Sequence, residues 1–241
     1  MEETLVANIR ERYQRVLAQI ATTASKSGRE PGAVRVVVVS KLQPPEVIRA
    51  AIAAGVSILG ENYAEEAVEK IAALKETAVE WHMIGHVQSR KADLVAGHFD
   101  MLHSLDSLKL AGRLDRFCGE LNRRLPVLLE FNVSGEESKS GFPAWDEARW
   151  PDLLPEIEKI LALSHLQVRG LMTMPPFYDD PERTRPYFQR LRRLQEFLAK
   201  RFADADWSEL SMGTSVDFLT AVQEGATFVR VGQAVLGPRP K

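Results

Sequence analysis

The sequence predicts a single (β/α)8 TIM barrel preceded by one extra N-terminal helix. Two observations predict this fold class: eight strand-like segments recur along the 241 residues, and each of them but the last is followed by a stretch compatible with a helix. Eight such units match a closed barrel better than an open doubly wound sheet. No Gly/Ser-rich linker, low-complexity stretch or sequence repeat divides the chain, so we expect residues 1–241 to form one domain.

The chain begins with an amphipathic helix, because its apolar residues fall on one face: Leu5, Ile9, Val16, Leu17 and Ile20. The apolar run Val34–Val39 then predicts a fully buried strand. A helix over Pro45–Ala54 follows, with proline in its first turn and Gly55 as its stop signal. The same strand–helix unit recurs along the rest of the chain.

Seven further segments complete the predicted barrel, and each has the apolar or alternating pattern of a short strand. They are Val56–Leu59, Trp81–Ile84, Met101–His103, Val127–Phe131, Leu166–Leu171, Glu209–Ser211 and Phe228–Val231. Met101–His103 and Glu209–Ser211 have the shortest patterns. Together with the first strand they make eight.

Composition and charge narrow the class of protein. A hydrophobic fraction of 45% allows a substantial core, and a net charge of -2 with scattered lysines and arginines gives no reason to expect nucleic acid as a partner. The single cysteine, Cys118, excludes an intramolecular disulfide and fits a reducing compartment. The sequence shows neither a signal peptide nor an apolar run of membrane-spanning length. We therefore expect a cytoplasmic protein with no membrane partner.

The unusual residues of the chain concentrate where the predicted strands end. Because TIM barrels carry their sites at the C-terminal ends of the strands, these segments should meet at one face. The first three are Lys41, GENY at 60–63 and HMIGHVQ at 82–88. The others are HSLD at 103–106, NVSGEESKSGF at 132–142, MTMPP at 172–176, SMGTS at 211–215 and RVGQA at 230–234.

Lys41 follows the first buried strand and has two interpretations. A lysine among apolar walls has a lowered pKa, and its neutral amine can form a Schiff base with an aldehyde. Alternatively, the side chain extends from the strand end into solvent. The residues predicted on the opposite side of the barrel favour the Schiff-base interpretation.

The loops after strands seven and eight predict an anion site. SMGTSVDF, residues 211–218, combines a strand, a small-residue turn and the start of a helix, so its backbone N–H groups and the hydroxyls of Ser211 and Ser215 can hold an anion. Gly232 allows close backbone approach, and many barrels bind phosphate at these loops. A Schiff-base lysine facing a phosphate site predicts pyridoxal 5′-phosphate (PLP) as the ligand.

Arg230 supports the same ligand, because it shares one face of the last strand with Phe228. Pointing inward, its guanidinium would donate to the pyridine nitrogen, where arginine or aspartate is the usual protein partner. The alternative is a salt bridge from Arg230 to a neighbouring acid such as Glu61 or Asp217.

Eight ordered motifs between Val34 and Gly237 resemble the PLP homeostasis protein family, single barrels similar to the N-terminal domain of alanine racemase. They are VVVVSK, LGENYAEE, WHMIGHVQSRK, HSLD, NVSGEESKSGF, GLMTMPP, LSMGTSVDF and GATFVRVGQAVLG. The resemblance implies that Lys41 forms the internal aldimine and Arg230 contacts the pyridine nitrogen. It implies a phosphate cup made by Ser211, Gly213, Ser215 and Gly232. It also implies that Asn62 and Met172 line the ring of the cofactor.

The resemblance also implies a function without established catalytic turnover, in which the protein carries, buffers or regulates PLP. We expect PLP-dependent apoenzymes as recipients of the cofactor and a monomer as the working form. Four positions depart from the family pattern. Gln43 stands where many members have a second lysine, so a relay between neighbouring lysines is not expected. Thr214 and His86 are changes that the site should tolerate, whereas Gln233 alters one side-chain phosphate contact.

Two enzymatic alternatives compete with this carrier function. A PLP-dependent amino-acid racemase needs bases on both faces of the substrate, and only Tyr63 and Tyr178 lie near the predicted mouth. A Schiff-base aldolase needs a carboxylate proton relay, which the motifs do not supply. His82 and His86 are separated by Gly85 and a strand end, so no metal site is expected. The sequence favours a PLP carrier that is not an enzyme.

Overall fold

Eight parallel strands close into a barrel in the computed structural model, which describes residues 2–74 and 76–238. Each strand pairs with its neighbours along the chain, and the eighth pairs with the first through the register Val37↔Arg230, which closes the sheet. The predicted TIM barrel is therefore confirmed. The strands are β1 Arg35–Val39, β2 Ile58–Glu61, β3 Glu80–Met83, β4 Met101–Leu105, β5 Leu125–Asn132, β6 Leu166–Met172, β7 Glu209–Ser211 and β8 Phe228–Val231.

Helices surround the barrel. They are α1 Glu2–Lys26, α2 Pro45–Ala53, α3 Ala64–Ala73, α4 Ala92–His98, α5 Leu108–Glu120, α6 Leu154–Leu161, α7 Arg185–Arg201, α8 Phe218–Gln223 and α9 Gln233–Leu236. Short 3-10 segments, Ser89–Lys91, Glu147–Leu153 and Pro181–Thr184, lead into α4, α6 and α7. None of the helices in the described ranges combines the length and apolar character needed to cross a membrane.

The extra N-terminal helix is present, and it packs against α2, α8 and α9. Ile9 and Ile20 of α1 are buried. The Arg12 Nε atom donates to the Val235 carbonyl at 2.8 Å, and the Arg29 guanidinium donates to the carbonyls of Val222 at 2.7 Å and Ala226 at 2.8 Å. These bonds attach the first segment of the chain to the segments around β8.

Two apolar layers follow from strand alternation. Side chains that point into the barrel form a small cluster, made by Val37, Ile58, Ile84, Met101, Leu128, Met172 and Phe228. The alternate positions point outward and join the helices in the larger core. A β-strand that is buried on both faces requires apolar residues at nearly every position, which explains the run that starts at Val34.

All eight strands begin and end within two residues of their predicted bounds, and two differences have a clear structural cause or consequence. Strand β2 begins at Ile58 rather than Val56, because the Val56 amide bonds to the Ala51 carbonyl and closes the end of α2. Gly55 takes φ +101° in that turn, as expected of a helix stop. An additional two-residue strand, Phe142–Pro143, pairs with the end of β5 and was not predicted.

Candidate functional site at the barrel mouth

A cavity of about 240 Å³ opens at the C-terminal ends of the strands. Its walls combine two basic side chains with apolar, amide and hydroxyl groups from loops that are far apart in the sequence. The lining residues are Val39, Lys41, Asn62, Ile84, Met174, Thr214, Ser215, Arg230, Gly232 and Gln233. Five of the eight predicted site residues are in this set: Lys41, Asn62, Ser215, Arg230 and Gly232.

Lys41 lies in the tight loop between β1 and α2. Ser40, just before it, is fully buried and bonds through its amide to the Gly60 carbonyl at 2.9 Å. Leu42, just after it, takes φ +60°, a left-handed conformation that costs a non-glycine residue energy. Lys41 is therefore presented to the cavity from a loop with a defined and strained backbone.

Arg230 lies inside the barrel at the base of the cavity and is only 3% exposed. Its Nη1 atom donates to the Ser211 hydroxyl at 2.5 Å, and Nη2 donates to the Thr173 carbonyl at 3.0 Å and the Met174 sulfur at 2.8 Å. Burial lowers the pKa of Arg230 to about 10, while Asp217 and Glu130 oppose that shift. The guanidinium thus stays charged at neutral pH and is held from two sides.

The salt-bridge interpretation of Arg230 does not match the structure. Glu61 is bonded to Lys70 and to the Ser40 hydroxyl. Asp217 accepts from the amide of Thr214 at 2.7 Å and from its hydroxyl at 3.1 Å. Both acids bond to other groups, and Asp217 acts on Arg230 through its charge, which opposes the lowering of the Arg230 pKa.

Ser211 differs from its expected place in the phosphate cup. It is fully buried inside the barrel and does not line the cavity, and its hydroxyl contacts His103 and Arg230. The reason is strand alternation: Ser211 ends β7 with its side chain inward, whereas Ser215 follows the turn and faces the cavity. Ser211 supports Arg230 from below.

A chain of hydrogen bonds runs from Arg230 through the barrel. Ser211 Oγ lies 2.8 Å from His103 Nδ1, His103 Nε2 lies 3.0 Å from His82 Nδ1, and His82 Nε2 lies 3.2 Å from Glu80 Oε2. Arg230 can only donate to Ser211, and when the Ser211 hydroxyl gives its own proton to His103 Nδ1, His103 is the neutral Nε2–H tautomer. Burial lowers the pKa of His103 well below its usual value, in agreement with this neutral form.

The turn after β7 is the candidate phosphate cup. Gly213 takes φ +92° there, and a Cβ atom at this position would lie 2.5 Å from the Ala221 Cβ. It does not line the cavity; instead it lets the turn pack against α8 and bring Thr214 and Ser215 to the cavity wall. Gly232, which follows β8, also lines the cavity, beside Val39.

Of the two residues predicted to line the PLP ring, one lines the cavity and the other does not. Asn62 lines the cavity, and its Oδ1 atom is buried without a hydrogen-bond partner among the described residues. Met172 instead belongs to the buried cluster inside the barrel, and Met174 lines the cavity. Met172 is the last residue of β6 and faces inward, whereas Met174 belongs to the loop that follows.

Sequence reasoning missed three buried titratable residues inside the barrel: His82 and His103 as a bonded pair, and Glu130. Desolvation raises the pKa of Glu130 to about 7, aided by Asp106 and opposed by Arg230 and Lys139. A signal was available, because Leu128, Glu130 and Asn132 alternate along an otherwise apolar strand and place Glu130 on the inward face. Across residues 2–74 and 76–238, no three His, Cys, Asp or Glu side chains converge as a metal site would require.

Comparison with known proteins places the chain in a family. Residues 11–240 match the family profile "Alanine racemase, N-terminal domain". The PLP homeostasis protein of Aquifex aeolicus (strain VF5) is 40% identical over 96% of this chain and 99% of its own length. The protein of the same name from Escherichia coli (strain K12) is 37% identical over 92% of both chains.

Solved structures agree with these relatives. PipY of Synechococcus elongatus PCC7942, solved with PLP bound, has a TM-score of 0.78 and 37% identity, covering 90% of this chain and all of PipY. Alanine racemase of Clostridium difficile 630 shares the fold, with a TM-score of 0.70 at 16% identity. The chain belongs to the PLP homeostasis protein family, built on the alanine racemase N-terminal domain.

Proposed function

We propose that this protein binds PLP in the mouth cavity, covalently through Lys41, and carries, buffers or regulates it in the cell. The observation that supports this most directly is that Lys41, Arg230 and the Thr214–Ser215 turn line one cavity. When bound, PLP supplies an aldehyde carbon with which a neutral lysine amine condenses reversibly, releasing one water molecule. PipY, a relative at 37% identity, was solved with PLP bound.

The cavity residues fit a flat ring with an anionic arm. Val39, Ile84 and Met174 offer apolar contact surface, and the buried Asn62 Oδ1 atom offers an acceptor to a ligand donor. On the Ser215 side, a hydroxyl and the nearby backbone can hold a phosphate group. Gly232 also lines the cavity, and without a side chain its backbone can approach that group closely.

Arg230 is the proposed partner of the pyridine nitrogen. Its guanidinium remains protonated at neutral pH and can only donate, so a ring nitrogen that accepts from it carries no proton. An unprotonated pyridine is a weaker electron sink, which limits the chemistry of a bound amino acid. Arg230 therefore favours holding the cofactor over using it.

We propose that the protein has no catalytic turnover. Racemisation needs a second base opposite Lys41. Tyr63 is 52% exposed and does not line the cavity, and the Tyr178 hydroxyl bonds to that of Tyr187 at 3.0 Å, also outside the lining. The placement of both tyrosines supports a carrier rather than a racemase.

We further propose that residues 1–241 act as one domain, as a monomer, in the cytoplasm, and that PLP-dependent apoenzymes receive the cofactor. The closed sheet, with α1 bonded to α9, supports the single domain. A direct test of transfer is to mix the loaded protein with an apoenzyme and a PLP scavenger. Apoenzyme activation that outpaces scavenging supports delivery, and activation no faster than from free PLP contradicts it.

The binding proposal is tested by adding PLP to the purified protein and recording the visible spectrum before and after borohydride. We expect a yellow protein whose band disappears on reduction, with the cofactor then found on the peptide that contains Lys41. A protein that remains colourless with excess PLP would contradict the proposal.

The absence of catalytic turnover is tested by deuterium incorporation into alanine at the α-carbon. Incorporation no faster than with free PLP is the result expected of a carrier.

A further inference from the structure

We propose that Lys70, Glu61 and Glu66 form a clamp that fixes the peptide groups on both sides of Lys41 and so acts as a set of positioning residues for PLP binding. The inference rests on the proposed function, since Lys41 is taken as the lysine that binds PLP. None of the three clamp residues lines the cavity, so their effect must pass through the Lys41 loop.

Lys70 is the centre of the clamp. It lies on α3, where charged residues are ordinarily exposed, yet its side chain is only 7% exposed. Its Nζ atom lies 3.0 Å from the Ser40 carbonyl oxygen, 2.8 Å from Glu61 Oε1 and 2.5 Å from Glu66 Oε1. Three acceptors match the three protons of an ammonium group, so Lys70 is fully satisfied while holding the peptide before Lys41.

Glu66 extends the clamp to the other side of Lys41. Its Oε1 atom accepts from the Leu42 amide at 2.8 Å. Leu42 is the residue with φ +60°, a conformation that is unfavourable for a residue with a branched side chain. The charge-assisted bond from the Leu42 amide to Glu66 offsets that cost and keeps the loop in its strained form.

Glu61 closes the clamp from the end of β2. Its Oε1 atom accepts from the Ser40 hydroxyl at 2.7 Å as well as from Lys70, while Oε2 is buried without a partner among the described residues. Burial raises the pKa of Glu61 despite these bonds. A buried ion cluster with an unsatisfied oxygen is a poor way to stabilise a fold, because desolvation offsets its attraction.

Because desolvation makes this buried ion cluster a poor stabiliser of the fold, its position indicates a role in holding the Lys41 loop. Lys70 and Glu66 come from α3, Glu61 from β2, and all three converge on the backbone at residues 40–42. The neighbouring Glu65 instead points to an ion pair with Lys91 and touches none of these groups. The chain thus contains an adjacent glutamate on the same helix as a matched control.

The test compares Glu66→Ala, Glu66→Gln and Glu65→Gln. Glu66 is partly exposed and alanine favours helix, so the alanine variant should fold. We expect about tenfold weaker PLP binding in Glu66→Ala, which corresponds to about 1.4 kcal/mol, and faster hydrogen exchange at the Leu42 amide. Glu66→Gln keeps an acceptor for that amide and should stay within about threefold of the natural protein. Glu65→Gln should bind PLP as tightly as the natural protein does.

Two measurements on the cofactor-free protein separate positioning from general destabilisation. Hydrogen exchange at Leu42 reports the clamp directly, and the rate of reductive methylation of Lys41 reports how its amine is presented. If Glu66→Ala exchanges faster at Leu42 yet binds PLP like the natural protein, the positioning role is wrong. If the natural protein does not bind PLP through Lys41 at all, the proposed function fails instead, whatever the exchange at Leu42 shows.

Discussion

At the scale of single residues, the barrel mouth contains two kinds of polar side chain. Lys41 and Ser215 line the cavity, where a ligand can reach them. Ser211 and His103 are buried below Arg230 and bond to one another. Motif matching treats Ser211 and Ser215 alike, but their surroundings assign one to the support of Arg230 and the other to the ligand.

Replacing Lys41 by alanine should abolish the visible absorbance band while leaving the fold intact, because Lys41 lies in a loop at a strand end rather than in the core. The matched control is Lys139→Ala. The Lys139 Nζ atom lies 3.4 Å from the Pro175 carbonyl oxygen. The measurement is the spectrum of each variant with PLP, with peptide mapping after borohydride. A reducible adduct at full occupancy in Lys41→Ala would assign the cofactor to another lysine.

The two serines should respond differently to alanine substitution. Ser215→Ala should weaken PLP binding by about tenfold without affecting the binding of pyridoxal, which lacks the phosphate. Ser211→Ala should leave the preference for the phosphate ester unchanged, but should destabilise the protein by about 1–3 kcal/mol, since His103 loses its partner. Titrations with PLP and pyridoxal, together with urea unfolding, measure both effects. If Ser211→Ala no longer bound PLP more tightly than pyridoxal, Ser211 would belong to the phosphate cup after all.

Glu130 predicts a specific pH dependence of stability. Its pKa is raised from 4.5 to about 7 in the folded state, so the folded protein keeps a proton that the unfolded chain releases. The associated stability is therefore full below about pH 4.5 and is lost as the pH rises to about 7. Glu130→Gln removes this dependence.

Urea unfolding of the cofactor-free protein checks that sign. Relative to the natural protein, Glu130→Gln should gain about 1–3 kcal/mol of stability between pH 5 and pH 8. The other titrating groups are common to both proteins and cancel in the difference. A difference that is constant with pH would show that Glu130 titrates normally.

At the scale of elements, the turn between β7 and α8 depends on Gly213. Gly213→Ala meets both a positive φ and a contact of 2.5 Å with the Ala221 Cβ, so the turn must shift. We expect destabilisation of about 1–3 kcal/mol and weaker PLP binding, because Thr214 and Ser215 move with the turn. Gly112→Ala on α5 is a suitable control, since its added Cβ meets nothing within 4 Å. Unchanged PLP binding in Gly213→Ala would show that the turn is not part of the site.

At the scale of the whole molecule, the chain of bonds from Arg230 to Glu80 links the mouth of the barrel to the opposite end. His103→Leu should destabilise the protein by about 2–4 kcal/mol and weaken PLP binding, because Ser211 and His82 both lose a partner and Arg230 loses its fixed support. Glu80→Gln keeps an acceptor for His82 at a largely exposed position and should behave as the natural protein. Equal PLP affinity in a folded His103→Leu variant would show that the chain does not orient Arg230.

The sequence alone determined the barrel, the order of its strands and the loops that meet at the mouth. Strand periodicity and turn residues are local signals, and parallel strands bring their C-terminal ends to one face. The sequence therefore predicted Lys41, Asn62, Ser215, Arg230 and Gly232 at one mouth, and all five line one cavity in the structure. Residue chemistry predicted the roles of Lys41, Ser215, Arg230 and Gly232, and the family resemblance added the ring contact of Asn62.

Only the tertiary structure decided which side chains meet inside the barrel. The inward face of Ser211, the position of Met174 instead of Met172, and the contacts of Lys70 with the Ser40 carbonyl all join residues from different elements. Such contacts depend on the stagger of neighbouring strands and the depth of each helix against the sheet. Local sequence patterns carry no information about either, because both result from packing the whole chain at once.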